Sequence, residues 1–323
     1  MSNILVTGGA GFIGSHYVRT LLSGGYAGYE DARVTVLDKL SYAGNPANLP
    51  LEDPRLTFVR GDIGNQELLL HLLPGHDAIV HFAAESHVDR SVDGAAAFVR
   101  ANVLGTQNLL DAAVRTGTGP VVHVSTDEVY GSIDSGSWTE SAPLLANSPY
   151  SASKAGSDLL ARAYHRTHGL DVRVTRCSNN YGTHQHVEKL IPNFVTRLLR
   201  GLQVPLYGDG GNIREWLHVD DHCRALHLVL TGGRPGAVYN IGGATPLTNR
   251  QMTERLLELC AADWSAVRFV ADRKGHDLRY AVDDTRIRTE LGYAPRIPLD
   301  EGLAQVVGWY RDHPDWWKPL VEA

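Results

Sequence analysis

The feature that most narrows the fold is an alternation in the first half of the chain. Short apolar runs, "NILVTG" (3–8), "RVTVLD" (33–38), "LTFVRGD" (56–62), "AIVHFAA" (78–84) and "PVVHVST" (120–126), are separated by helix-length amphipathic stretches. Runs this short and apolar read as strands buried on both faces, and parallel neighbours need a crossover between them, which a helix supplies. The pattern predicts an α/β fold: a Rossmann-type doubly wound parallel sheet with right-handed crossovers. From about Asn179 the alternation breaks into shorter pieces, including "KLIPNFVTRLLRG", "VPLYGDG", "GAVYNIGG" and "LTNRQMTERLLELC". A smaller C-terminal α/β substrate lobe is expected there. The expected division is 1–178 for the Rossmann domain, with return segments from about 213–242, and 179–323 for the lobe. Thr248 and Gln251 form a capping-box pattern that opens a helix.

Composition enters mainly by what it excludes. The 323 residues suffice for two cores, and a net charge of −6 without Lys/Arg runs leaves no footprint for nucleic acid or an anionic membrane. Cys177, Cys223 and Cys260 are far apart and form no CxxC pair, so neither a disulfide framework nor a zinc site is expected. "MSNILVTGGAG" enters a strand at once and no segment has transmembrane length, which together with the cysteine usage predicts a cytoplasmic protein. His184 and His186 in "THQH", and His218, His222 and Cys223 in "HVDDHC", invite a metal reading. There is no HExxH, and His218 and His222 straddle a probable helix start, so no metal is expected.

After the first run comes "TGGAGFIG", with Gly8, Gly11 and Gly14 in GxxGxxG spacing. Glycines at a strand-to-helix turn let the backbone approach a pyrophosphate, which rests on the helix's N-terminal amides. The second run ends at Asp38, where an acid would bind the adenosine ribose hydroxyls and repel a 2′-phosphate, favouring NAD over NADP. The adjacent Lys39 weakens that preference. In "YSASK", Tyr150 and Lys154 lie four apart at the start of a long helix and share a face. A phenol is a poor base at neutral pH unless nearby cations lower its pKa, and Lys154 with an oxidised nicotinamide would do so. Ser125 or Thr126 would complete the hydrogen bonding.

"TGGAGFIG", the strand-end Ser/Thr and the YxxxK helix together resemble the extended short-chain dehydrogenase/reductase family over nearly the whole chain. Many members of that family act on nucleotide sugars after oxidising C4 of the hexose. The next residues discriminate among them: "STDEVYG" (125–131) carries Asp127 and Glu128 side by side and closely resembles the signature of dTDP-glucose 4,6-dehydratases. Oxidation at C4 acidifies the C5 proton; Glu128 would abstract it while a protonated Asp127 donates to the departing C6 hydroxyl. An epimerase needs neither acid, and a GDP-mannose dehydratase or a UDP-glucuronate decarboxylase typically has a single glutamate there. A non-catalytic NAD sensor would have no need to keep all four groups. Exposed loop acids capping the next turn are the bland alternative. Successive residues of a straight strand face opposite ways, so both acids reach one substrate edge only if the chain leaves the strand near Thr126.

"FAAESHVDRS" (82–91), "RCSNNYG" (176–182), "EKLIP" (188–192), "PLYGDG" (205–210), "IREWLHVDD" (213–221) and "KGHDLRYAVD" (274–283) extend the resemblance. It implies a catalytic set of Thr126, Asp127, Glu128, Tyr150 and Lys154. NAD would be held by Gly8, Gly11, Phe12, Ile13, Gly14, Asp38, Lys39, Ser41, Asp62, Ile63, Phe82, Ala83, Ala84, Ser86, Tyr150, Lys154 and Asn180. A nucleotide-sugar substrate would meet Ser86, Thr126, Asn179, Lys189, Leu190 and Arg214, with Pro205, Tyr207, Asn249, His276 and Tyr280 around the nucleotide. A homodimer formed by the helices around 94–115 and 150–168 is also implied. Thr183 and Val187 replace more usual prolines, and Ala101 replaces a threonine that often touches the cofactor. The pathway served, and thymidine against uridine selectivity, stay open.

Overall fold

The computed structural model describes residues 2–322 apart from Ala244, Arg273 and Lys274, so the first residue of "KGHDLRYAVD" lies outside the described residues. Every apolar run of the first half is a strand: β1 Asn3–Thr7, β2 Arg33–Asp38, β3 Leu56–Arg60, β4 Ala78–His81 and β5 Val121–Thr126. They are followed by β6 Val172–Cys177, β7 Asn179–Tyr181, β8 Val204–Tyr207, β9 Ile213–His218, β10 Val238–Ile241, β11 Pro246–Thr248 and β12 Val267–Val270. The main sheet has seven strands in the order β10-β6-β5-β4-β1-β2-β3, all parallel. Strand order reverses between β1 and β4, the switch point at which ligands gather beyond the strands' C-terminal ends. The fold is therefore the expected doubly wound Rossmann type.

Two apolar cores flank this sheet. Tyr17, Val18 and Leu21 pack on one face with Cys223, Leu226 and Val229 of helix Val219–Gly232, while Leu69, Leu109, Leu110 and Ala161 cover the other. "GAVYNIGG" supplies β10, which returns to the edge of the main sheet beside β6. A third core joins Tyr181, Phe194, Leu206, Trp216, Met252, Leu303 and Tyr310 around the small sheets β11-β9-β7 and β12-β8. The helix after Thr248 opens with the expected reciprocal capping box to Gln251. Among the described residues no helix is long and apolar enough to cross a membrane.

Candidate active site

The glycine turn after β1 is shaped for close approach. Gly8 has φ +69°, and a Cβ there would lie 2.6 Å from the Ala83 amide nitrogen; one on Gly14 would lie 2.4 Å from the Gly8 carbonyl oxygen. Only glycine fits either place. Helix Phe12–Leu22 starts at Gly11, whose residue type offers no side chain to cap the first amides, and no acid sits in its first turn. Those amides and the positive end of the helix dipole fit an anionic diphosphate. Asp38 closes the next strand, its carboxylate accepting from the amides of Ala10 at 3.0 Å and Leu40 at 2.8 Å. Burial raises its pKa, and those two amides pull it back. Lys39 stands 3.5 Å from Glu85 and 3.9 Å from Asp62, two acids that offset its charge beside Asp38.

From this turn a cleft of about 300 Å³ runs along the C-terminal ends of β1, β2, β4, β5 and β6. Gly8, Gly11, Phe12, Ile13, Gly14, Asp38, Lys39, Ser41, Asp62, Ile63, Phe82, Ala83, Ala84, Ser86 and Asn180 all line it, as do Thr126, Asp127, Glu128, Tyr150, Lys154, Asn179 and Lys189. The glycine cradle and the strand-end acid fit a dinucleotide, and the cleft runs on past them to Asp127, Glu128, Tyr150 and Lys154.

At the far end of the cleft the chain does leave the strand at Thr126. Residues Asp127–Tyr130 form a 3₁₀ turn, with Thr126 as its N-cap accepting from the Glu128 amide at 3.2 Å. The Thr126 hydroxyl in turn donates to Asp127 Oδ1 at 3.2 Å. The turn brings both acids to the cleft wall. Burial raises the Asp127 pKa well above the usual carboxylate range, reinforced by the negative charges of Glu128 and Glu215. Opposite stands helix Pro149–His168, opened by a Ser148–Ser151 capping box, which projects Tyr150 and Lys154 from one face. Lys154 Nζ donates to the Val124 carbonyl at 2.8 Å, and burial lowers its pKa to about 8 against the raising charges of Asp158 and Cys177. Burial and then Glu128 raise the Tyr150 phenol, while the Thr126 hydroxyl lowers it. In the protein alone the phenol thus sits above its ordinary value, the reverse of what a nearby cation would do. The expected lowering requires the positive charge of an oxidised nicotinamide.

The lobe residues fall in a different place. Leu190, Pro205, Tyr207, Arg214, Asn249, His276 and Tyr280 do not line this cleft. Leu190 begins helix Leu190–Leu198, Pro205 and Tyr207 belong to β8, and Asn249 begins the helix after β11. The guanidinium of Arg214 lies 4.4 Å from the Tyr280 ring centroid and donates to the Asp277 and Ile213 carbonyls at 2.9 and 2.7 Å. The rings of Tyr207 and His276 meet edge to face at 6.3 Å. This strip adjoins the acid pair: Glu128 raises the Tyr280 phenol second only to burial, and Arg214 lowers Asp127. Lys189 Nζ donates to the Ser86 carbonyl at 2.9 Å, tying the lobe to the sheet.

Several residues of the site escaped sequence reasoning. Glu188 beside Lys189 lines the cleft, accepts from the Tyr42 hydroxyl at 2.9 Å and lies 3.5 Å from Arg90. It gathers three separate segments at the cleft wall. Glu215 is buried on β9 and acts on Asp127 through its charge. Cys177, Ser178, Gln185 and His186 also line the cleft. Strand-end position was a usable signal for Cys177 and Ser178, because ligands collect at that edge. Ala101 lines the cleft from a π-helical segment, Val99–Gly105, whereas Val187 is buried in the third core. Among the described residues no group of three or more His, Cys, Asp or Glu side chains converges on a metal position.

The sheet, the glycine turn and the Tyr–Lys pair define an enzyme of the extended short-chain dehydrogenase/reductase class. Residues 5–306 match the family described as GDP-mannose 4,6 dehydratase. The dTDP-glucose 4,6-dehydratase of Streptomyces antibioticus is 64% identical over 319 residues, covering 98% of this chain and 95% of that protein. The structure of DesIV, a dTDP-glucose 4,6-dehydratase from Streptomyces venezuelae with NAD and TYD bound, matches with a TM-score of 0.97 at 65% identity, over 98% of this chain and 99% of that one. A UDP-glucose 4-epimerase from Thermotoga maritima with UDP-glucose matches at 0.89 with 31% identity, over 97% and 99%. The chain belongs to the family of sugar-nucleotide 4,6-dehydratases, in its dTDP-glucose branch.

Proposed function

We propose that the chain converts dTDP-glucose to dTDP-4-keto-6-deoxyglucose and water, with NAD as a cofactor regenerated in each cycle. The observation that carries this reading is the acid pair on the 3₁₀ turn, with Asp127 buried and its carboxyl raised, in one cleft with Tyr150 and Lys154. NAD, when bound, supplies the acceptor for the C4 hydride and its donor to C6. The glycine turn and the amides of helix Phe12–Leu22 hold its diphosphate, and Asp38 takes the ribose hydroxyls. Tyr150 accepts the proton of the C4 hydroxyl, its phenolate favoured by the positive charge that an oxidised nicotinamide would bring. A ketone at C4 makes C5–H acidic, and Glu128 removes that proton. Asp127, neutral because burial and two neighbouring carboxylates disfavour its charge, protonates the departing C6 oxygen. Glu128 then returns a proton to C5. Arg214, Tyr207, His276 and Tyr280 border the nucleotide end, and the chain divides near Ser178 into a cofactor domain, which takes back segments from about 213–242, and a substrate lobe, working together in the cytoplasm.

Incubation with dTDP-glucose tests the reading: the 4-keto-6-deoxy product is expected, and recovery of dTDP-galactose in its place would overturn it. Glu128→Gln is expected to lower turnover about 10²–10⁴-fold with nucleotide binding retained. We further propose a homodimer through helices Val88–Asp93, Ala95–Thr116 and Pro149–His168. Val92, Val99, Leu104 and Leu159 there are 49–55% exposed, large apolar side chains that a second copy would cover. Sedimentation of the purified chain as a monomer would rule this out.

A further inference from the structure

The Tyr–Lys pair and the acid pair stand on different elements. Tyr150 and Lys154 belong to the 20-residue helix Pro149–His168, and Lys154 is tied to β5 through the Val124 carbonyl at 2.8 Å. Asp127 and Glu128 belong to a 3₁₀ turn of four residues, a geometry with poorer hydrogen bonds than an α-helix. The first end of that turn is fixed by the strand and the Thr126 cap. At its other end Gly131, at φ +77°, offers no side chain, so Tyr130 is the last side chain that can anchor it. A reaction that oxidises C4 and then eliminates across C5 and C6 needs both pairs set against one sugar ring. A misplacement of about 1 Å is enough to cost about a hundredfold in rate.

One side chain joins the two elements. Arg176, on β6 and at 0% exposure, donates from Nε to Asp158 Oδ2 at 2.8 Å and from Nη1 to the Tyr130 hydroxyl at 2.8 Å. Asp158 lies one turn after Lys154 on the helix, and Tyr130 is the last residue of the acid turn. The guanidinium also lies 4.8 Å from the centroid of the Tyr130 ring. The phenol in turn donates to Asn240 Oδ1 at 2.8 Å, and Asn240 Nδ2 donates to the Trp138 and Asp283 carbonyls at 2.9 and 3.1 Å. Burial pushes the phenol up to about 12 against the opposing charge of Arg176, so it remains a donor to Asn240. A guanidinium holds its N–H groups at fixed angles in one plane, and so sets the spacing of its two partners as well as their charge. Tyr130, Asp158, Arg176 and Asn240 do not line the cleft, and act on the reaction through the groups they hold.

We propose that Arg176 is a positioning residue that sets the acid turn against the Tyr–Lys helix, with the Tyr130 hydroxyl as the contact through which it does so. The inference rests on the dehydratase reading above and divides the reaction between its steps. Loosening the Tyr130 contact leaves Tyr150, Lys154 and the glycine turn in place, so C4 oxidation is spared. It frees Asp127 and Glu128 to move against C5 and C6, so elimination slows.

The test uses the NAD-loaded protein and two variants. Tyr130→Phe removes one hydroxyl and keeps the buried ring; Arg176→Lys keeps a cation beside Asp158 without the fork. Turnover of dTDP-glucose is expected to fall about 10–100-fold in each. C4 oxidation is read by itself in a Glu128→Gln background, where elimination is blocked and the absorbance of reduced cofactor reports hydride transfer from dTDP-glucose. Adding Tyr130→Phe there is expected to change that rate by less than about threefold, and dTDP affinity measured by calorimetry should hold within the same margin. Equal slowing of oxidation and turnover, or a parallel loss of dTDP affinity, would overturn the proposal by tracing the effect to general loosening. Unchanged turnover in Tyr130→Phe, or in a folded Arg176→Lys, would overturn it as well; if Arg176→Lys fails to fold, Tyr130→Phe decides alone. A wild type that forms no 4-keto-6-deoxy product, or a Glu128→Gln protein that does not reduce its NAD, counts against the dehydratase reading and removes this proposal with it.

Discussion

Asp127 and Asp158 are both sealed from solvent, at 2% and 0% exposure, yet their carboxyls are driven in opposite directions. Asp127 is raised by burial, with Glu128 and Glu215 adding to the effect; the Thr126 hydroxyl and Arg214 oppose it too weakly. Burial pushes Asp158 up as well, but His123 and Arg176 override it and bring the carboxyl down to about 2. Arg176 Nε lies 2.8 Å from one oxygen of Asp158, and His123 Nε2 lies 3.3 Å from the other. Burial lowers the His123 pKa, so the compensating charge comes from Arg176. Burial sets the cost of a charge, and the partners decide whether it is kept. Asp127 keeps a proton where one must be given; Asp158, one turn beyond Lys154, keeps a charge that supports the buried lysine.

The comparison breaks most forcefully at Arg176. Arg176→Met removes the cation and leaves Asp158 in the position of Asp127, a buried acid without compensation. A loss of about 3–5 kcal/mol at pH 7, measured by urea unfolding, is expected. The wild-type carboxyl, at about 2 against an ordinary 3.8, contributes stability that is present above pH 3.8 and lost as pH falls toward 2. In the variant the folded-state pKa rises above the ordinary value, so its contribution is lost as pH rises. The gap between the two proteins should therefore narrow as pH is lowered from 7 to 4. A gap of constant size would trace the loss to the cavity and not to the charge.

Features set by neighbours along the chain were readable in the sequence, and features set across the sheet were not. The strands β1 to β5, the Thr248–Gln251 cap and the turn at Thr126 follow from periodicity and from where side chains of successive residues can point. Asp158 was visible only as a helical residue four positions after Lys154. Its partners stand on β5 and β6, whose register, with His123 opposite Val174 and Ser125 opposite Arg176, is a long-range outcome of sheet assembly. Glu215 beside Asp127, and Glu188 joining Tyr42 to Arg90, are hidden for the same reason. The lobe residues Tyr207, His276 and Tyr280 were marked by motif resemblance alone. Periodicity could not show that they stand outside the main cleft, because Tyr207 is placed by the pairing of β8 with β12 and Tyr280 by backbone contacts of its segment with Ile213, Ile133 and Trp138, all distant in sequence.

The smallest effect, and the one that sharpens the comparison most, is expected at Asp127 itself. Asparagine matches the carboxyl in size and never ionises. A carboxyl raised in the folded state gives its full contribution below the unfolded value of 3.8 and loses it as pH climbs through the folded value. The wild type therefore carries a penalty near neutrality that Asp127→Asn does not. The variant should be more stable than the wild type at pH 8 and should converge on it toward pH 4, read by urea unfolding at each pH. Asp158→Asn should do the reverse, losing stability near neutrality because it leaves Arg176 without its charged partner. A gain in stability at Asp127 alongside a collapse in turnover is what a site that stores an unfavourable proton for catalysis requires. If Asp127→Asn instead weakens the fold near neutrality and meets the wild type only as pH falls below 3.8, Asp127 is ionised in the resting protein and the acid role does not survive.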